Sequence, residues 1–182
     1  MKSVLISIRP KWTEKIANGE KTIEVRKTAP QEVPFKCYIY ETKGQYVKFT
    51  HGAHTKYGYG RGKVIGEFIC DKVYSIKNRG SSFSVADEEQ SVTNEIARQS
   101  CLYYDDMVSY FGNKDGFGWH ISDLKIYDKP KELSEFCIPC KVSCENCKNP
   151  LYFECWCEEK GKKIVTRPPQ SWCYVEDLGE EE

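Results

Sequence analysis

Six cysteines, Cys137, Cys140, Cys144, Cys147, Cys155 and Cys157, crowd into 21 positions of a 182-residue chain. A stretch with so few aliphatic side chains cannot build a core of its own, so a metal or a cross-link has to supply its folding energy. The spacing C-x2-C-x3-C-x2-C-x7-C-x-C suits zinc, because a C-x2-C turn delivers two thiolates to one tetrahedral ion. Cys144 and Cys147 are the expected first pair, completed by two of Cys140, Cys155 and Cys157. Such a structural site is closed, with four sulfurs at about 2.3 Å and no water. Cys137 directly follows Phe136 and is expected to be spare. Reduced thiols, disulfides and an iron–sulfur cluster are the competing uses.

The compartment decides between them. The apolar run Val4 to Ile8 is too short for a signal-peptide core, and no small-residue cleavage site follows it. No segment approaches the roughly 18 apolar residues of a membrane helix. A cytoplasmic location with no membrane partner is the expectation, and there clustered cysteines favour metal over disulfides. The scattered Cys37, Cys70 and Cys101, and Cys173 within a strand pattern, read as small core residues.

Along the chain, short strands alternate with few helices. Val4 to Ile8 reads as a strand, Lys11 to Ala17 as a helix stopped by Asn18-Gly19, Lys21 to Lys27 as a strand of period 2, and Phe35 to Glu41 as another strand. Residues 42–62 mix glycines with Tyr46, Phe49, Tyr57 and Tyr59 and with Lys43, Lys48, Lys56 and Arg61, as a long hairpin or a loose loop. Lys63 to Val73 is a strand, and Gly66 within it suggests a bulge or close backbone approach. Helices are expected over Ser84 to Gln99, capped by Ser84 or Asp87, and over Tyr103 to Phe111. Gly116 to Tyr127 reads as one strand, and Ile164 to Leu178 closes the chain. The pattern predicts an α+β fold, a small β-barrel with peripheral helices. Its expected units are a barrel over 1–136 plus 164–178, a cysteine-rich metal-binding insertion over 137–160 and an acidic tail over 179–182.

Lysine plus arginine and aspartate plus glutamate both total 27, so an anionic partner would need a local patch. The 42–62 segment is the candidate: bases stack on rings while phosphates meet Lys48, Lys56 and Arg61, with Tyr57 as a ring. A solvated hairpin is the bland alternative. A second candidate is the charged strand. Alternation puts Thr22, Glu24 and Arg26 on one face, with Lys21 at the turn before it, and Glu67 interrupts the apolar run Val64 to Ile69. A buried carboxylate is costly unless paired or used. Lys21 with Glu24 or Glu67 would form an acid–base dyad, whereas exposed strand charges making ordinary cross-strand pairs would do little. One of Trp12, Trp119 and Trp172 is available to stack on a base, with a partly buried core position as the bland alternative.

The segment Ala17-Asn18-Gly19-Glu20-Lys21-Thr22-Ile23-Glu24-Val25-Arg26 resembles the signature of the ASCH family of the PUA-like superfamily. The runs Trp119 to Tyr127 and Arg167 to Glu176 resemble prophage-type members, so the likeness covers about residues 2–136 and 164–177. The resemblance implies a PUA-like barrel whose cleft, lined by the Gly19-Glu20-Lys21-Thr22 turn, takes RNA or a nucleoside, in a protein of phage or bacterial origin. It puts Trp12, Lys21, Thr22, Glu24 and Arg26 at the nucleic-acid site. It also implies an alternative, an amidohydrolase acting on an acylated nucleobase such as acetylcytidine. Lys21 matches that enzyme's lysine and Glu67 its glutamate, but Glu24 replaces its second threonine and cannot supply hydroxyl chemistry.

Overall fold

The computed structural model describes residues 2–51, 54–139 and 163–179. Its largest sheet has five strands in the order β10-β6-β3-β1-β11. β1 (Lys2–Ile8) lies at its heart, parallel to β3 (Phe35–Glu41) and antiparallel to β11 (Trp172–Val175). β6 (Lys63–Cys70) pairs with β3 on one side and with β10 (Ser122–Lys131) on the other. A strand covered on both faces reads as a continuous apolar run, and β1 shows it. Val4, Ile6 and Ile8 enter one core with Phe35, Cys37, Ile39, Phe68 and Trp119. Leu5 enters a second core on the opposite face with Tyr38, Tyr40, Val64, Phe136, Val165 and Val175.

The second sheet, β2-β9-β7-β8, covers the first core. It comprises β2 (Ile23–Arg26), β7 (Val73–Asn78), β8 (Phe83–Val85) and β9 (Gly116–His120). Trp119 of β9 meets Phe35 edge-on at 5.1 Å. Ile23, Val25 and Ile76 point outward to Ile96, Met107 and Phe111, on α2 (Gln90–Ser100) and α3 (Tyr104–Phe111). β2 therefore sends Glu24 and Arg26 into the space between the sheets. Among the described residues no helix is long and apolar enough to cross a membrane.

The α+β class holds, but the ladders form separate sheets rather than one closed barrel. The reason lies at two corners. The chain leaves β6 for β7 at Asp71-Lys72, and it leaves β9 for β10 at Ile121, with Asp123 at a φ of 46°. The expected single strand from Gly116 to Tyr127 is thus broken between two sheets. The helix expected from Ser84 starts only at Gln90, because Val85 is buried and residues 83–85 pair with β7. Thr93 of α2 accepts the Val85 N–H at 3.1 Å and docks the helix on that edge.

β4 (Gly44–His51) and β5 (His54–Gly60) pair as a ribbon that stands on α1 (Pro10–Ala17). Its base is held by the buried Glu41 carboxylate, which accepts from the Thr13 hydroxyl at 2.6 Å and the Arg61 N–H at 2.8 Å. Hydrogen bonds to a charged group contribute about 1.5–3 kcal/mol. Glu41→Ala is expected to lose that much in chemical denaturation and to speed exchange of the Arg61 amide. An unchanged midpoint would show that the ribbon is held elsewhere.

The expected metal ligands Cys140, Cys144, Cys147, Cys155 and Cys157 lie outside the described residues. The chain departs for them and returns at one point: Cys137 bridges Ile164, the Ile138 N–H reaches Lys163 O and the Val165 N–H reaches Phe136 O, both at 2.8 Å. Phe136 and Val165 anchor this stem in the second core.

Candidate functional site

The site is assembled where α1, β2 and the end of α2 meet. α1 stops at Asn18, Gly19 turns the chain at a φ of 74°, and the amides of Glu20 and Lys21 both reach back to Lys15 O. That turn brings Lys21 to the last carbonyl of α2. Nζ donates to Ser100 O at 2.7 Å and to Ile23 O at 2.8 Å. Carbonyls at a helix C-terminus lack intrahelical donors and carry partial negative charge, so a cation is favoured there. The neighbouring Gln99 O accepts the Thr22 N–H at 3.0 Å. Alternation along an ideal strand would put Lys21 opposite Glu24. Because Lys21 precedes the strand, its side chain folds round instead, and Nζ comes to 3.4 Å from Glu24 Oε2. Arg26 Nη2 holds Glu24 Oε1 at 3.0 Å and donates to Ser7 O at 2.7 Å, tying β2 to β1.

Lys21, Glu24 and Arg26 retain 2%, 5% and 7% exposure, so they are not solvated strand charges. Burial pushes the Lys21 ammonium below the ordinary lysine value, against the pull of Glu24. Two hydrogen-bonding capacities remain open: Glu24 Oε2 and Arg26 Nε are buried without a hydrogen-bond partner, the Lys21 contact being long. Both residues line a cavity of about 550 Å³, within the usual size of small-molecule sites. Trp12, Lys21 and Arg9 line it on one side, and Asp106, Ser109 and Tyr110 of α3 on another. Pro168, Pro169, Gln170 and Ser171 complete the lining, and the Ser7 hydroxyl donates to Pro169 O at 2.6 Å.

The structure brings Trp12, Lys21, Glu24 and Arg26 together, and Thr22 contributes backbone bonds beside them. It does not bring Glu67. Glu67 stands opposite Tyr38 in the β3–β6 register and accepts from the Tyr127 hydroxyl, on the second-core face of the five-stranded sheet. The register slips by one residue between Ile39 and Tyr40, leaving Ile65 as a bulge, and this sets the phase that turns Phe68 inward and Glu67 outward. The Lys21–Glu67 dyad expected for an amidohydrolase is therefore not formed.

Lys48 is held by Glu14 at 2.8 Å, Lys56 lies across the ribbon from Phe49, and Tyr57 and Arg61 are exposed. Trp119 is core, and His120 points the other way, to Asp71 at 2.6 Å. The scattered Cys37 and Cys70 are buried core residues. Desolvation raises the Cys37 thiol well above its usual range and that of Cys70 to about 12. The sequence reading missed the α3 wall, although the i, i+3, i+4 spacing of Asp106, Ser109 and Tyr110 could have marked it.

Two packed sheets, flanking helices and a cavity that Lys21 alone of the Gly19-Glu20-Lys21-Thr22 turn lines define an α+β protein, and its fold is similar to that of solved ASCH structures. The solved structure of ASCH from Zymomonas mobilis superposes with a TM-score of 0.56 at 18% identity, over 96% of this chain and 88% of that one. Two point variants of that protein are equally similar. Its tyrosine-to-phenylalanine variant gives 0.54 at 16% identity, over 97% and 91%. Its serine-to-alanine variant gives 0.55 at 17%, over 96% and 89%. No family model and no curated protein matches the chain. At such identities the likeness carries the fold, and function has to be argued from this chain's own residues.

Proposed function

We propose that this is an ASCH-type, cytoplasmic RNA- or nucleoside-binding protein of bacterial or phage origin, and that it takes a base into the cavity beside Trp12. One observation carries this reading: Glu24 Oε2 and Arg26 Nε are buried, lack hydrogen-bond partners and belong to residues of the cavity wall. A buried polar group left unmade costs about 1–3 kcal/mol. The edge of a nucleobase presents a donor beside an acceptor and would satisfy both once the two side chains turn their closed-off atoms toward the cavity. A phosphate suits the interior less well, because Glu24 and Asp106 line it; the exposed Arg9 is its better partner. Trp12 lines the same wall with the Lys11 and Lys21 ammonium groups 4.5 Å and 5.4 Å from its ring centroid, so a base would stack there in place of the exposed Lys11. Titration calorimetry with nucleosides and short single-stranded RNA is the test. Glu24→Gln should weaken binding roughly 10-fold or more, the equivalent of one charged hydrogen bond, and Glu67→Gln should leave it unchanged. No saturable binding by any of these ligands, or a Glu24→Gln protein that binds like wild type, would overturn the reading.

The 137–160 segment is proposed to hold one structural zinc through Cys144, Cys147 and two of Cys140, Cys155 and Cys157. The donor set supports it, and so does the stem, which closes the segment into a loop held at one point.

A further inference from the structure

We propose that the solvent face of the β4–β5 ribbon is a stacking platform for single-stranded RNA, so that the ligand is an oligonucleotide continuing out of the cavity rather than a free nucleoside. The proposal rests on the base-binding reading of the cavity. Directly paired residues of an antiparallel ladder share a face. Gln45 pairs with Tyr59 and Val47 with Tyr57, and these neighbouring rungs leave Tyr59, Val47 and Tyr57 71%, 55% and 49% exposed. The opposite face is occupied. Tyr46 lies across Gly58, where an added Cβ would sit 2.4 Å from its ring, and the adjoining Lys48 pairs with Glu14 of α1 at 2.8 Å. The exposed row is therefore not needed to hold the ribbon on α1, and three large exposed groups on one face of the ribbon suit an interaction site.

Charge selects the partner. Residues 42–62 contain Lys43, Lys48, Lys56 and Arg61 and no carboxylate. Lys48 is paired with Glu14 at 2.8 Å and Lys56 alternates with Tyr57 onto the α1 side, so the exposed Lys43 and Arg61 at the base of the ribbon carry the charge beside the platform. An anionic ligand with flat, unpaired rings meets both features, as single-stranded RNA does. Position links the platform to the cavity. Thr42 lines the cavity, and its carbonyl packs on Gly60, where an added Cβ would sit 1.9 Å from the oxygen and 2.4 Å from Pro10. From Gly60 to Tyr57 the strand runs about 10 Å, the stacked rise of about three bases at roughly 3.4 Å each. A strand with one base in the cavity thus needs about four nucleotides to cover the platform.

The test compares a mononucleoside with RNA of two, four and eight nucleotides, by calorimetry at low and high salt. Affinity should climb to about four nucleotides and then level off, with the oligonucleotide binding salt-sensitive. Tyr57→Ala/Tyr59→Ala should weaken the tetranucleotide at least about fivefold per tyrosine, the low end of base–aromatic stacking, and leave the mononucleoside unchanged. Both tyrosines are exposed, so the double variant should keep the wild-type melting temperature. If the mononucleoside binds but longer RNA binds no tighter, or if the double variant binds the tetranucleotide like wild type, the platform is refuted and the cavity reading survives. If RNA binding is lost in the tyrosine variant but indifferent to Glu24→Gln, the cavity reading falls and takes with it the path from cavity to platform, and only the stacking face is left. No binding by any of these ligands refutes both.

Discussion

A Lys21→Met protein is expected to lose about 2–6 kcal/mol of stability, because two buried carbonyls are left without a donor at about 1–3 kcal/mol each. Two groups are stranded together. Ser100 O and Ile23 O lose their donor, and Glu24 keeps only Arg26 in a site almost closed to water. For a chain of this length, one kcal/mol moves the melting temperature by about 2–4 °C, so calorimetry should find a drop on the order of 10 °C. The double variant Lys21→Met/Glu24→Gln should lose more than Lys21→Met alone, because it strips the buried Arg26 of the carboxylate that Lys21→Met leaves in place. An exposed pair would give less than about 1 kcal/mol. A loss that small would show that Lys21 does not bind α2 to β2, and additive single variants would show that it is uncoupled from Glu24.

Local pattern revealed what local forces decide. β1, α1 and β3 were readable because each carries its own period and stop, down to the Asn18-Gly19 end of α1. The ASCH-like turn likewise marked the place where Lys21, Glu24 and Arg26 meet. Contacts between residues distant in sequence were not readable. The donors of Lys21 find their acceptor 79 residues away in Ser100, and Glu67 finds Tyr127 at a separation of 60. A one-residue slip between β3 and β6 then decides which face Glu67 takes. Nothing in the run Val64 to Ile69 announces that slip except Gly66, whose missing Cβ admits Lys125 O of β10; an added one would sit 2.5 Å from it. Phe83-Ser84-Val85 is a strand for the same reason. Three residues have little intrinsic preference, and the free edge of β7 supplies the partner.

The cysteine segment is expected to respond to metal removal as a unit while the sheets do not. Zinc bound by thiolates contributes an apparent 10–16 kcal/mol to the folding of small modules at neutral pH, far more than a loop without a core could draw from packing. Purified protein should therefore contain one zinc per chain, and a strong chelator should open 140–162 to protease. The melting of the sheets should change little, because the stem is closed by bonds that need no metal. The Cys137–Ile164 bridge lies between Phe136 and Val165, both buried in the second core, and the Glu176 N–H adds a bond to Cys137 O at 2.9 Å. Serine at Cys144 and Cys147 together should reproduce the chelated state, whereas serine at Cys137 should not, since that residue belongs to the stem. Protein without stoichiometric metal, or a cleavage pattern indifferent to the chelator, would show that these thiols serve another purpose. A chelator that unfolds the sheets as well would show that the stem depends on the metal.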